Sequence, residues 1–121
     1  MSLVKLDTIQ TQEKLNIVYR SAHPGPGGGF HVYVVVRSDN NELVDIIRFQ
    51  KGPRSAPEAQ HGVLDCDLLE MVRDRLKAFQ EGDYACPENE HALLFVEEAL
   101  KWMNKRVEDR IARQVLGTME K

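Results

Sequence analysis

Three arginines near the C-terminal end of the chain are the residues best suited to bind an anion. Arg106, Arg110 and Arg113 follow one another at spacings of four and three, so on one continuous helix they project along a single face. Guanidinium groups aligned in this way suit planar clusters of anionic oxygens such as phosphates. The alternative is a solvated helix face with local ion pairs, which is the commoner role of exposed charge.

The overall charge of the chain argues against a protein that binds DNA or RNA. The 121 residues carry a formal net charge of -3, so non-specific attraction to a nucleic acid is unfavourable. A phosphate site must therefore be a local basic pocket in an acidic protein. No apolar run approaches the length that crosses a membrane, and we expect no membrane partner.

The sequence contains no recognisable motif for catalysis or metal binding. No two of the four histidines have the spacing of metal ligands. They are His23, His31, His61 and His91. Cys66 and Cys86 are expected to be free thiols in a reducing compartment. Asp65 and Asp67 are better explained as helix caps than as a catalytic pair, and no nucleophile motif is visible. We therefore predict a binding protein that is not an enzyme and has no catalytic residues, metal or cofactor.

The first half of the chain predicts an antiparallel sheet of about three strands. The strand segments are rich in β-branched and aromatic residues, and they span Leu15–Tyr19, Phe30–Val36 and Leu43–Phe49. A polar turn at Ser38–Asn41 makes the last two strands a hairpin.

Two irregular segments interrupt these strands. The glycine-rich segment His23–Gly29 lacks the lysine and the following helix of a phosphate-binding loop, so it is interpreted as a connector, with a lid as the alternative. The segment from Lys51 to about Gly62 is long enough to indicate a functional loop.

The second half of the chain predicts two helices. Apolar residues recur at helical spacing from Leu64 to Phe79 and again from Leu93 to Val115. Gly82 is placed to end the first helix and Pro87 to begin the second, which would run to Gly117. The short connection between them makes an antiparallel hairpin. The predicted fold is therefore α+β in one domain, 1–121, with a sheet part at 1–62 and a helical hairpin at 63–118.

The length of the second helix predicts a dimer. At 1.5 Å per residue it would be about 40 Å long, more than a small sheet can cover, so part of its apolar stripe should pack against another copy. Trp102 is expected at that contact. Phe79 could be buried or could stack on a ligand. Since Asn89 and the arginines lie roughly 25 Å apart along the helix, an antiparallel dimer would bring the arginines of one copy to Phe79 and Asn89 of the other.

Five short segments, taken in order, resemble a known family. They are Phe49–Pro53, Leu68–Gly82, Ala85–Asn89, Arg106–Arg110 and Leu116–Thr118. Together they resemble the phage Thoeris anti-defence sponge proteins over about residues 45–118. The ordered set carries the resemblance, since none of the segments is diagnostic by itself.

The resemblance implies a protein that captures a nucleotide second messenger without altering it. The ligand would be glyco-cyclic ADP-ribose, made by a TIR-domain enzyme of the bacterial Thoeris system, and its capture would starve an NAD-depleting effector. At matching positions Phe79 would stack on adenine, Asn89 would hydrogen-bond the ligand, and Arg106 and Arg110 would bind the pyrophosphate. Arg54 would reach the ligand from its loop, with His23 a weaker candidate on the same rim. The resemblance also implies homodimers or assemblies of dimers in the cytoplasm of the infected bacterial host.

Two other functions stay open at this point. Some relatives also bind cyclic oligonucleotides of CBASS immunity, so a sponge for cyclic di- or trinucleotides is one alternative. The other is an interaction protein that binds no nucleotide and whose long helix dimerises and docks a host factor. An enzyme that hydrolyses the signal is disfavoured, because the sequence shows no nucleophile or metal cluster.

Overall fold

The computed structural model describes residues 2–121, which fall into two compact units. The first unit ends at Val63 and the second begins at Leu64. We call them the sheet unit (residues 2–63) and the hairpin unit (residues 64–121). The elements confirm the α+β class, with an antiparallel sheet followed by two helices.

The sheet unit contains four antiparallel strands in chain order. They are β1 (Leu3–Lys5), β2 (Asn16–Ser21), β3 (Val32–Arg37) and β4 (Leu43–Arg48). The sequence predicts only the last three, and β1 is the addition. Three residues are too few for an alternating pattern to show, and β1 forms because it pairs with β2 from Leu3↔Ser21 to Lys5↔Tyr19.

The strand register brings the two irregular segments of the sheet unit to one end of the sheet. Ser21 closes β2, and Val32 opens β3 directly opposite Arg48. The glycine-rich segment between β2 and β3 forms a tight turn, with the Gly25 amide donating to the Gly29 carbonyl at 2.8 Å. After β4 the chain folds back on itself through paired backbone hydrogen bonds between Lys51 and Gln60.

The hairpin unit consists of α1 (Asp65–Gln80) and α2 (Pro87–Ala112). The Asp67 carboxylate accepts a hydrogen bond from the Leu64 amide at 2.8 Å and so caps the start of α1. Pro87 is the first residue of α2, as predicted, where its missing N–H costs nothing. Within residues 2–121 neither helix combines the length and apolarity needed to cross a membrane.

The predicted end of the long helix at Gly117 is wrong. α2 ends at Ala112, with Arg113 as its C-terminal cap. Gln114 then adopts a left-handed φ of 58°, which a continuing right-handed helix excludes. The remaining 26 residues still give a helix about 39 Å long.

The described residues include no fully buried side chain, apolar or polar. The strands of the sheet unit are half-buried at best, and the helices leave large apolar side chains such as Phe95 exposed. A two-helix hairpin has one helix–helix contact and no third layer, so it cannot enclose a core. The two helices therefore leave much of their apolar surface uncovered within the hairpin unit.

Candidate functional site

One side of the hairpin is lined by charged and polar groups. The Arg73 guanidinium links the two helices, donating to Glu97 Oε2 at 2.9 Å and to Glu70 Oε1 at 3.3 Å. These hydrogen bonds, to Glu97 first and then to Glu70, raise the pKa of Arg73 above its ordinary value. Lys101 and Asn104 of α2 line the same surface. We call this surface the charged side.

The opposite side of the hairpin is apolar. At 100° per residue, Leu68, Val72 and Phe79 of α1 lie on the helix face turned away from the charged side, and so do Phe95 and Trp102 of α2. Phe95 is 73% exposed, Trp102 61% and Phe79 43%. Aromatic side chains this large are normally covered by other protein or by a ligand. We call this surface the apolar side.

Arg106 belongs to the apolar side. It follows Phe95, Ala99 and Trp102 at the spacing that continues one stripe of α2. The Arg106 side chain is exposed and makes no hydrogen bond or ion pair with any of residues 2–121. All five of its N–H donors are therefore available to an anion beside aromatic surface.

The other two arginines of the predicted row are already engaged. Arg110 donates from Nη2 to the carbonyl oxygens of Val115 and Thr118 at 3.1 and 3.2 Å, and from Nη1 to that of Glu120. Arg113 lies beyond the end of α2 and pairs with Asp109 at 3.0 Å. The three guanidinium groups thus do not form one uniform fork, since two of them hold the C-terminal segment and its neighbours.

Phe79 and Asn89 flank the turn between the helices. Phe79 lies in the last turn of α1, with the Arg75 guanidinium 5.3 Å from its ring centroid. Asn89 is the third residue of α2, half-buried, and its side-chain amide makes no hydrogen bond within the described part of the chain. The Gln80 amide fixes the turn by donating to the Cys86 carbonyl at 3.1 Å and accepting from the Cys86 amide at 3.0 Å.

Substitution of Gln80 by alanine is expected to loosen this turn. Two hydrogen bonds at about 0.5–1.5 kcal/mol each predict a loss of about 1–3 kcal/mol in the free energy of unfolding. Thermal denaturation at one fixed protein concentration measures the effect. Gln12→Ala is the control, because the Gln12 side chain is exposed and makes no hydrogen bond within residues 2–121. Equal melting temperatures for the two variants would contradict this role of Gln80.

Arg54 and His23, the remaining predicted contacts, lie on the two irregular segments of the sheet unit. Arg54 is exposed in the loop after β4, and His23 is exposed at the start of the glycine-rich segment. Neither makes a side-chain hydrogen bond or ion pair with another described residue. Both stay predictions as ligand contacts.

Phe95 was not among the residues that the sequence singled out. Its signal was present, since it stands seven residues before Trp102 and eleven before Arg106 on the same face of α2. Its large exposure became visible only once the contact between α1 and α2 had defined which face of the helix is uncovered.

Comparison with known proteins identifies the family. The chain matches the family model of the Acb2/Tad1 hairpin domain over residues 41–108, a range that contains Phe79, Asn89 and Arg106. It is 40% identical over 105 residues to Thoeris anti-defense 1 of Bacillus phage SBSphiJ7, and this alignment covers 87% of the chain and 72% of that relative. The chain therefore belongs to the Acb2/Tad1 hairpin-domain family of phage Thoeris anti-defence proteins.

Proposed function

We propose that this protein blocks Thoeris immunity by binding and sequestering a cyclic ADP-ribose-type signal, glyco-cyclic ADP-ribose, without degrading it. The name of its 40%-identical relative supports the anti-defence role. The observation that carries the binding role is the unpaired Arg106 guanidinium, which stands in line with the exposed Phe95 and Trp102 on the apolar side. An unpaired cationic group beside exposed aromatic side chains suits a ligand that has both a pyrophosphate and a base.

The binding site requires two copies of the chain. Asn89 and Arg106 are 17 residues apart on one straight helix, which separates them by about 25 Å. Two α2 helices packed antiparallel through their apolar sides bring Arg106 of one copy to Phe79 and Asn89 of the other. Phe95, Ala99 and Trp102 lie around the midpoint between Asn89 and Arg106, so they form the centre of such a contact.

The proposed roles are those that the family resemblance implies at the matching positions, and each suits the chemistry of its side chain. Phe79 stacks on the adenine ring, Asn89 hydrogen-bonds the ligand, and Arg106 binds the pyrophosphate. Arg110 joins Arg106 at the pyrophosphate once the ligand oxygens take the place of the carbonyls of the C-terminal segment. Ionised phosphate oxygens are stronger acceptors than peptide carbonyls, which favours that exchange.

The magnitudes permit tight capture. Three or four charge-assisted hydrogen bonds at roughly 1.5–3 kcal/mol each and stacking at roughly 1–3 kcal/mol give on the order of 6–15 kcal/mol. Nanomolar affinity needs about 12 kcal/mol net, after association costs of at least about 4 kcal/mol. A site walled by two copies and closed to water can meet this requirement, because it strengthens each charged contact.

Release of the bound signal by heat tests sequestration against degradation. The protein is mixed with glyco-cyclic ADP-ribose, free ligand is removed by filtration, and the retained material is heated and analysed by mass spectrometry. We expect the intact signal back in stoichiometric amount at every incubation time. A linearised or hydrolysed product, or no retained ligand at all, would contradict the proposal.

Competition calorimetry with cyclic di- and trinucleotides tests whether the ligand is glyco-cyclic ADP-ribose or a cyclic oligonucleotide. A sponge for glyco-cyclic ADP-ribose keeps its full affinity for that ligand when the cyclic oligonucleotides are present. Displacement of the signal by a cyclic di- or trinucleotide at lower concentration would favour the CBASS alternative instead.

A further inference from the structure

Residues 114–121, which we call the C-terminal segment, fold back on the end of α2. Two left-handed backbone positions turn the chain, Gln114 with a φ of 58° and Gly117 with a φ of 80°. The Val115 amide donates to the Arg110 carbonyl at 2.9 Å. The segment therefore returns along the last turn of the helix, where the Arg110 side chain also lies.

The hydrogen bonds to this segment engage the donors with which Arg110 could hold a phosphate. Nη2 donates to the carbonyl oxygens of Val115 and Thr118 at 3.1 and 3.2 Å, and Nη1 donates to that of Glu120. A guanidinium holds two oxygens of one anion through Nη1 with Nη2, or through Nε with Nη2. Nη2 belongs to both pairs and has only two hydrogens. Because both hydrogens are engaged, Arg110 has no pair of donors left for a ligand while the segment is in place.

Arg106 is in the opposite situation. It lies four residues before Arg110 on α2, and its side chain makes no hydrogen bond or ion pair within residues 2–121. Both of its donor pairs are open. The chain thus presents one available guanidinium and one that its own backbone occupies, and the two can act together only when the segment moves away.

The segment is held in a way that lets it open. Residues 115–117 are half-buried, but residues 118–121 are exposed. The hydrogen bonds from Arg110 to Thr118 and Glu120 are exposed to solvent as well. Segments with few buried contacts and exposed backbone hydrogen bonds open locally at a low cost in free energy.

We propose that the C-terminal segment competes with the ligand for Arg110 and lowers the affinity of the hairpin for its signal. This inference rests on the proposed function, in which Arg110 contacts the pyrophosphate. With the segment in place, an anion meets Arg106 alone. The observed affinity is the affinity of the open form reduced by the fraction of chains that are open, so any change in opening changes binding.

Two substitutions in the segment should shift its opening in opposite directions. Thr118→Val removes the hydroxyl that donates to the Val115 carbonyl and accepts from the Glu120 amide at 3.2 Å, so it loosens the turn. Gln114→Gly places a glycine at a left-handed φ and tightens the turn. In calorimetric titrations with glyco-cyclic ADP-ribose, we expect Thr118→Val to bind roughly two- to tenfold more tightly than the unchanged chain. Gln114→Gly should bind about two- to fivefold more weakly. A segment that only supports the fold would give the reverse order.

Thr8→Val is the matched control, because the Thr8 hydroxyl also donates to a carbonyl, that of Gln10 at 2.7 Å, but in the sheet unit. It should leave the affinity unchanged. The gain from Thr118→Val should disappear in an Arg110→Gln background, where there is no guanidinium to release. Circular dichroism checks the helix content, and Gly117→Ala, which strains the same turn, replaces Thr118→Val if that variant loses its helices.

The outcomes separate this inference from the proposed function. If the unchanged chain binds the signal and the loosened variant binds it equally well or less well, the competition is overturned and the proposed function stands. A gain that persists without Arg110 would likewise overturn the competition. If neither the unchanged chain nor the loosened variant binds the signal, the proposed function fails, and this inference fails with it.

Discussion

Replacement of Arg106 by alanine should weaken binding of glyco-cyclic ADP-ribose by roughly 100-fold without unfolding the protein. Arg106 is exposed, and its removal breaks no hydrogen bond or ion pair within residues 2–121. The loss comes from the ligand, because one or two charge-assisted hydrogen bonds to the pyrophosphate contribute about 3 kcal/mol, which is roughly 100-fold in Kd. Calorimetric titration measures the affinity, and circular dichroism checks the helix content.

Lys101→Ala is the matched control for this experiment. Lys101 lies on the charged side of the same helix and is also exposed. Its removal changes the net charge by the same amount, so a general electrostatic effect would appear equally in both variants. Undiminished binding in Arg106→Ala, or no nucleotide binding by the unchanged protein, would favour an interaction protein whose helix simply dimerises.

A glutamate in place of Trp102 is expected to convert the protein into monomers. Trp102 is 61% exposed in the single chain and lies near the centre of the proposed contact between two α2 helices. A carboxylate there would be desolvated without a partner, at a cost of several kcal/mol. We expect the dimer dissociation constant to rise at least about 100-fold, which corresponds to about 3 kcal/mol. Sedimentation equilibrium over a concentration series measures it.

The same substitution should also abolish signal binding, because the proposed site takes residues from two copies. Asn104→Glu is the control, since Asn104 lines the charged side of α2 and is exposed. Asn104→Glu adds one negative charge two residues along α2 from Trp102, and it leaves the apolar side intact. A monomeric unchanged protein, or a Trp102→Glu variant that still dimerises through the same helix, would refute the two-copy site.

Much of the fold could be predicted because its signals are local. The runs that became β3 and β4 are dense in β-branched residues, whose side chains fit an extended chain. Asp67 and Pro87 occupy positions where a capping carboxylate and a proline favour a helix start whatever the tertiary surroundings. Strand β1 escaped prediction, since its three residues are ordered by pairing with β2 rather than by their own pattern.

For the candidate site, the sequence by itself determined the residue types and their spacing. Arg106 stands at a fixed rotation from Phe95 and Trp102 on any α-helix, so their common face needed no tertiary information. Tertiary structure decided which arginine is available. Arg110 has the same chemistry as Arg106, but the chain turns back after Ala112 and brings carbonyl oxygens to the Arg110 guanidinium.

Tertiary structure alone also decided the charged and apolar sides of the hairpin and a cleft at the end of the sheet where its two irregular segments meet. The two sides exist only once the packing of α1 against α2 has fixed which face of each helix is covered. The cleft joins His23, Arg48 and His61, which are 25 and 13 residues apart along the chain, because the strand register returns the backbone to one end of the sheet. Such groupings depend on contacts between segments that are distant in the sequence, and local propensity does not predict those contacts.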